Sequence, residues 1–383
     1  MKTLTNEQNS VLKLVKQWYN SDKQEFFLAG YAGTGKSTLI NFIIKELNLD
    51  YKYVSFTAFT GKAALVLTQK SQGKYLGSTI HRLLYRTGVD AFDNVMFTLR
   101  DKKDLSHLRL IVVDEAGMVP DSLYNDLKLF DIKILFVGDH GQLPPVGEGN
   151  MVAQRIFNHP DACLNEIHRQ AADNPIIYLS MLARKGGMIK PGNYSNKVVV
   201  LPRDYNLPEE AFIKSDQVIC GLNKTRLSLN NWYRDKLGYK DKLPVIGDKL
   251  ICLRNDWGKC VKGVNLVNGM IGYVSNVFTP NKSAISQKSV GVDFRPDFMN
   301  EDFKNLYVLK APFLNKKEAL KGKEFYLYND FTYGYTITCH KSQGSQWPKV
   351  LVIDESFAFK DNRYRWLYTA ITRSEDSLVL KLT

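Results

Sequence analysis

The sequence predicts an α/β fold: parallel sheets with helices on both faces, in two successive series, the second interrupted by a small β-rich insertion. Two observations lead there. Near-unbroken apolar, β-branched or aromatic runs at 26–29, 53–56, 110–113 and 134–137 recur at 217–220, 350–353 and 377–380, with helical segments between them. Strands without polar alternation are buried on both faces, as in parallel sheets. From about 247 to 330 the pattern changes to short strands, at 251–253, 272–274, 290–292 and 325–328, divided by turns such as Asn268-Gly269.

The elements follow in order. Thr5 and Gln8 form a capping box that opens a helix with Val11, Leu12, Leu14, Val15 and Trp18 on one face. The strand at 26–29 runs into a glycine-rich turn, and residues 37–44 resume at helical spacing. A weaker insertion, 85–104, interrupts the first series, and its alternating residues 95–99 read as one arm of a β-hairpin. The predicted organisation is therefore 1–84 with 105–170, the insertion 85–104, then 171–246 with 331–383, and the β-rich insertion 247–330.

Composition narrows the function. The 383 residues are 44% hydrophobic and 24% charged, an ordinary globular balance, and no apolar run is long enough to span a membrane. Residues 1–8 lack the apolar core of a secretory signal, so a cytoplasmic location is expected. The five cysteines (163, 220, 252, 260, 339) form no paired spacing, and neither a disulfide framework nor a zinc site is expected. A net charge of +13 fits a polyanionic partner, nucleic acid before membrane.

Three segments carry chemistry. Residues 30–37 match G-x-x-x-x-G-K-[ST] between a strand and a helix. Gly33, Thr34 and Gly35 let backbone N–H groups curl round phosphates, Lys36 reaches the β- and γ-phosphates, and the Ser37 hydroxyl, with Thr38 beside it, faces Mg²⁺. Asp114 and Glu115 end a buried strand; such an enzyme needs one acid to hold Mg²⁺ and another to activate water. The Gly/Pro-rich segment 138–146 follows a third strand, and its Gln142 amide is suited to sense a γ-phosphate.

Read together, these segments resemble the motifs of superfamily 1 helicases, specifically the RecD-like group that contains the Dda helicases. The ordered set is Thr5 to Gln8, 30–38, 57–64, 78–84, 114–117, 138–146, 164–170, 338–347 and 368–373. The resemblance implies two RecA-like P-loop domains with ATP between them. It makes 85–104 a β-hairpin wedge and 247–330 an SH3-like domain. It also assigns roles. Gln8 would read adenine, and Arg169 and Arg373 would reach the γ-phosphate. Thr57, Phe59, Lys62, Thr79 and His81 would line a DNA track on the first domain, and Thr338, His340, Lys341 and Ser342 on the second. Asn223, opening the segment 223–226, is a candidate phosphate contact. Phe97 is either the wedge's apolar tip or packed in the hairpin's own core. Lys316, Lys317, Lys321 and Lys323 either hold a strand or are a solvated face.

The chain departs from the family at four places: Phe59 for a usual Pro, Gly117 for Ser, Gln346 for Glu, and Ser374-Glu375 for more basic residues. None removes a catalytic group. The expectation is an ATP- and Mg²⁺-dependent DNA helicase moving 5′→3′ on single-stranded DNA and acting on forks, with replication or recombination proteins as partners. The polarity comes from the resemblance alone. A translocase that displaces proteins with little unwinding, or a DNA-binding module with a vestigial nucleotide site, are the alternatives. If the chain is phage-encoded, its location is the host cytoplasm.

Overall fold

In the computed structural model, which describes residues 4–71, 73–89, 95–144, 150–167, 173–281, 283–316, 318–320 and 324–383, Thr5 opens helix α1 (Asn6–Tyr19). Its hydroxyl accepts the Gln8 N–H at 3.2 Å, and the Gln8 side chain accepts the Thr5 N–H at 3.1 Å. Two end groups are thus satisfied reciprocally. The chain packs as two compact units, Met1–Thr87 with Phe97–Asp216 and Gln343–Thr383, and Gly88–Met96 with Gln217–Ser342.

The first unit is built on a six-stranded sheet. Its strands are β1 (Glu25–Gly30), β2 (Val54–Ala58), β3 (Gly77–Thr79), β6 (Leu110–Asp114), β7 (Lys133–Gly138) and β8 (Ala162–Leu164), in the order β3-β2-β6-β7-β1-β8. Every adjacent pair is parallel. Alternate residues enter different cores: Leu110, Val112, Leu135 and Val137 join one buried cluster, and Ile111, Val113, Ile134 and Phe136 the other. Helices α2 (Lys36–Glu46) and α3 (Gly61–Lys70) supply Leu39, Ile43 and Leu67 to the first cluster. Helices α5 (Asp121–Lys128) and α6 (Met151–Asn158) supply Leu123, Leu127 and Ile156 to the second. At about 1.5–3 kcal/mol for each buried aliphatic side chain, this two-sided burial holds the strand ends in place.

Between β3 and β6 lie the short helix α4 (Ile80–Leu84) and strands β4 (Tyr85–Val89) and β5 (Val95–Leu99), which pair as a two-stranded sheet. The Arg100 N–H donates to the Leu84 carbonyl at 2.8 Å, and the Tyr85 hydroxyl donates to Asp126. A second sheet in this unit runs Trp347–Ile353, Ser374–Lys381, Val198–Leu201 and Gly192–Ser195. Its first two pairs are parallel and its last antiparallel. It is accompanied by helix α7 (Pro175–Arg184) and the C-terminal helix Arg363–Ile371.

In the second unit, strands Gln217–Cys220 and Thr336–Thr338 pair in parallel beside helix Asn223–Lys236. A five-stranded antiparallel sheet orders Phe303–Leu309, Ser289–Pro296, Ile271–Phe278, Lys249–Cys252 and Phe331–Tyr333. Three of the four late strands expected from the sequence lie in or overlap this sheet. The fourth, 325–328, does not: Glu324–Leu327 is a short helix. A four-residue aromatic run has no period to separate strand from helix. Here the ion pair between Glu324 and Lys288 at 2.7 Å ties its first residue.

Candidate functional site

Three adjacent strands, β6, β7 and β1, end on the same edge of their sheet, the edge where parallel α/β sheets bind ligands. After β1, Gly33 and Gly35 adopt φ of 81° and 79°, a conformation glycine adopts without steric cost. It bends the chain into the N-terminus of α2, where Gly35 is the cap. The Lys36 ammonium donates to the Gly30 carbonyl at 2.6 Å and the Tyr31 carbonyl at 2.9 Å, so it lies across the loop. Thr34 is buried, and its carbonyl accepts from the Gln8 amide at 3.0 Å. Gln8 is therefore tied to the loop itself as well as to its own helix cap.

After β6, Asp114 accepts the Glu115 N–H at 3.0 Å. Glu115 sits at φ 50°, ψ 40°, an unusual backbone for a glutamate that costs about 1–3 kcal/mol and clusters at functional positions. Glu115 is half-buried, and burial pushes its pKa up; Asp114 pushes the same way, while Arg373 and Lys36 pull down. The carboxylate and both cations thus lie within electrostatic reach of one another.

Arg373 is 2% exposed. It donates to the Thr369 carbonyl at 3.0 Å, the Ser345 carbonyl at 3.1 Å and the Thr372 hydroxyl at 3.2 Å. Gln346, at the position of a family Glu, donates to the Thr372 carbonyl at 3.1 Å and so braces the turn before Arg373.

After β7, Asp139 links the parts. It accepts the Tyr368 hydroxyl at 2.6 Å and the Gly141 N–H at 2.9 Å. The same Tyr368 oxygen accepts the Ala32 N–H of the phosphate loop at 2.7 Å. Thr369 accepts the Leu143 N–H at 2.8 Å, and Arg365 donates to the His140 carbonyl at 2.9 Å. Gln142, 8% exposed, is held inside this mesh. Sequence reasoning missed Asp139, Arg365, Tyr368 and Thr369 as site residues. Asp139 lies in the segment 138–146 and Tyr368 and Thr369 in 368–373, so the motifs held them without giving them a role; Arg365 lies outside the motif set, with only its helical spacing from Tyr368 and Thr369 as a signal.

The residues expected on a DNA track divide. Thr57 is fully buried and its hydroxyl donates to the Val112 carbonyl at 3.0 Å. Thr79 is 4% exposed and caps α4 by accepting the Arg82 N–H at 3.2 Å. Ser342 is fully buried and donates to the Cys339 carbonyl at 2.7 Å. Each of these three hydroxyls is engaged within the fold. Phe59, His81 and Phe97 are half-buried. Burial lowers the His81 pKa to about 4, so the ring is neutral. Lys62 lies over the Trp347 ring at 4.6 Å.

In the second unit a cavity of about 380 Å³ brings Asn223, Thr338 and Lys341 together with Arg226, over an apolar floor that includes Leu227 and Ile337. Burial lowers the pKa of both Lys341 and Arg226. Lys341 donates to Asn268 at 2.8 Å. Asn223 is exposed and Thr338 and His340 are half-buried. Arg169, Lys317, Lys321 and Lys323 lie outside the described residues, and Lys316 is exposed.

Comparison with known proteins agrees with this geometry. The family described as an AAA domain matches residues 3–196, half of the chain, and the UvrD-like helicase C-terminal domain matches 333–380. The phage T4 protein named ATP-dependent DNA helicase dda is 30% identical over 65% of this chain and 60% of its own. The Deinococcus radiodurans ATP-dependent RecD2 DNA helicase is 28% identical over 98% of this chain and 48% of its own. The chain thus spans about half to three fifths of the length of these relatives. The crystal structure of Bacteroides Pif1 bound to single-stranded DNA superposes with a TM-score of 0.53 at 18% identity, covering 100% of this chain and 92% of that one. Its fold is shared. By its AAA-domain match and these relatives, the chain belongs to the superfamily 1 DNA helicases of the Pif1/RecD/Dda type.

Proposed function

We propose that this chain is an ATP-dependent DNA helicase that moves 5′→3′ along single-stranded DNA and opens forked duplex. One observation carries the catalytic half of that reading. Asp114, Lys36 and Arg373 all lie within electrostatic reach of Glu115, beside the phosphate loop.

Phosphoryl transfer to water needs neutralised phosphate charge, an oriented nucleophile and a cation for the charge that develops in the transition state. Lys36 is positioned to leave its two carbonyls for phosphate oxygens. Glu115, its carboxyl poised upward in pKa, takes the proton of the attacking water. Arg373, held by neutral acceptors and buried, keeps its charge for the transferring group. Gln142 senses the terminal phosphate, and Arg169 is assigned the same role as Arg373. Ser37 and Asp114 offer one hydroxyl and one carboxylate, a donor set that would hold Mg²⁺. Bound there, the ion would supply neutralisation of phosphate charge.

For DNA, Lys341, Arg226, Asn223 and Thr338 converge on one cavity with two cations and an apolar floor, which fits a phosphate with its nucleoside. His340, Lys62, Phe59 and His81 are the remaining candidate contacts, and Phe97 on β5 the candidate wedge. We further propose the division into two RecA-like domains, with β4–β5 as a hairpin insertion and 247–330 as an SH3-like one. Forked DNA and replication or recombination proteins are the proposed partners.

The test is strand separation on partial duplexes carrying a 5′ or a 3′ tail, with ATP, Mg²⁺ and a Lys36→Ala control. Unwinding from the 5′ tail alone, lost in the control, is the expected result. Opening only from the 3′ tail refutes the polarity, and ATP turnover without separation on either tail refutes the helicase.

A further inference from the structure

Arg184 is the last residue of α7 and belongs to none of the motifs. Its guanidinium carbon lies 3.5 Å from the centroid of the Tyr31 ring. Tyr31 is the second residue of the phosphate loop, and its carbonyl is one of the two that hold Lys36. On its other contacts the Tyr31 ring meets His140 at 4.0 Å and Tyr368 at 6.1 Å between centroids. The cation is thus stacked on the loop that binds phosphate.

Stacking satisfies only the face of a guanidinium; its five N–H bonds lie in the plane and need acceptors at the edge. The Nη1 group is buried and, among the described residues, has no hydrogen-bond partner. Native proteins rarely leave such a group unpaired, and where they do a ligand or ion is a common reason. The bland explanation is a helix-end arginine donating to the last carbonyls of its own helix. Nη1 donates to none of these. The surroundings add a second, independent argument. Burial chiefly lowers the His140 pKa, Asp139 opposes it, and the charges of Lys36, Arg365 and Arg184 add to the lowering. Three cations therefore lie within electrostatic reach of that ring beside the phosphate loop, with Asp139 as the opposing charge, itself bound by Tyr368 and Gly141.

We propose that Arg184 is a further arginine of the nucleotide site, with Tyr31 as the platform that holds its plane and the terminal phosphate of ATP as the acceptor its edge lacks. This rests on the reading of the loop as an ATP site. A planar fork on a fixed platform recognises a phosphate with little loss of side-chain freedom, which a lysine cannot reproduce.

The experiment uses the full chain and the variants Arg184→Lys and Arg184→Gln, with Lys36→Ala as control. It measures kcat and KM for ATP with single-stranded DNA present. It also measures the affinity of a fluorescent ADP with and without aluminium fluoride, which mimics the transferring group. Both Arg184 variants should lose at least tenfold in kcat and most of the fluoride-dependent tightening, while ADP alone changes less than threefold. Nucleotide-free binding of single-stranded DNA, unchanged in all, shows that the variants are folded. Arg184 variants with kcat within twofold and undiminished tightening would overturn the proposal and leave Arg184 as packing. Turnover that survives Lys36→Ala would instead overturn the ATP-site reading, and the proposal with it.

Discussion

Replacing Tyr368 by Phe removes one oxygen that two groups depend on. The hydroxyl donates to Asp139 at 2.6 Å and accepts from the Ala32 N–H at 2.7 Å, and the side chain is 1% exposed. The ring is retained, so the loss is hydrogen bonding rather than packing. A bond to a carboxylate contributes about 1.5–3 kcal/mol and a neutral one about 1 kcal/mol. The nucleotide-free Tyr368→Phe protein should therefore be less stable by about 2–4 kcal/mol, a fall in Tm on the order of 5–10 °C for a unit of this size. The assay is thermal melting of parent, Tyr368→Phe, Asp139→Ala and the double variant. The cycle isolates the Tyr368–Asp139 bond, and its coupling should be about 1.5–3 kcal/mol. With saturating ADP the Ala32 N–H gains a phosphate acceptor, so the Tyr368→Phe deficit should shrink by about 1 kcal/mol. A coupling below about 0.5 kcal/mol, or a deficit that nucleotide leaves unchanged, would refute the reasoning.

Three more outcomes follow from the same geometry. Glu115→Gln should abolish turnover yet stabilise the nucleotide-free protein at neutral pH. Burial raises the folded-state pKa of Glu115 above its unfolded value. Its favourable contribution is therefore complete below the unfolded pKa and lost as pH rises through the folded one, where a charge must be buried. Melts from pH 4 to 8 should show the variant's advantage growing with pH, and the parent's acid limb of kcat/KM should lie above the ordinary glutamate range. Lys341→Ala should weaken single-stranded DNA binding at all sequences and make the salt dependence shallower by about one unit of slope, read from titrations at several salt concentrations. Gly141→Ala should destabilise by about 1–3 kcal/mol, read by melting, because the added Cβ would lie 2.8 Å from the Tyr31 ring and 3.0 Å from that of Tyr368.

Legibility followed the range of each interaction along the chain. The phosphate loop could be read because its cradle is made by consecutive residues, and its meaning needs only a strand before it and a helix after. Asp114 and Glu115 were readable as the end of an apolar run. Hydroxyls were not. Thr57, Thr79 and Ser342 carry the same chemistry whether they face a strand of DNA or cap a turn, and burial decides which. The run 325–328 was misread because four residues contain no period. The bonds that organise the site were invisible for a different reason: Tyr368 meets Asp139 across 229 positions and Ala32 across 336. Nothing local distinguishes such a tyrosine from a core one.

The C-terminal helix explains why those distant bonds belong together. Arg365, Tyr368 and Thr369 stand at helical spacings of three and four, so they share one face. Each holds the segment after β7: Arg365 at the His140 and Gln142 carbonyls, Tyr368 at Asp139, Thr369 at Leu143. Gln343 adds a fourth hold, donating to the Leu143 carbonyl at 2.5 Å. The same helix ends at Thr372, and Arg373 hangs from its last carbonyls. A helix is stiff over two turns, so the position of Gln142 and the position of Arg373 cannot be set independently. Through the Tyr368 hydroxyl both are tied to an N–H of the phosphate loop, the type of group a nucleotide takes over. Under the proposed function, a phosphate that took over that N–H would free one end of a lever whose other attachments carry Gln142 and Arg373, and so would couple nucleotide occupancy to the placement of both.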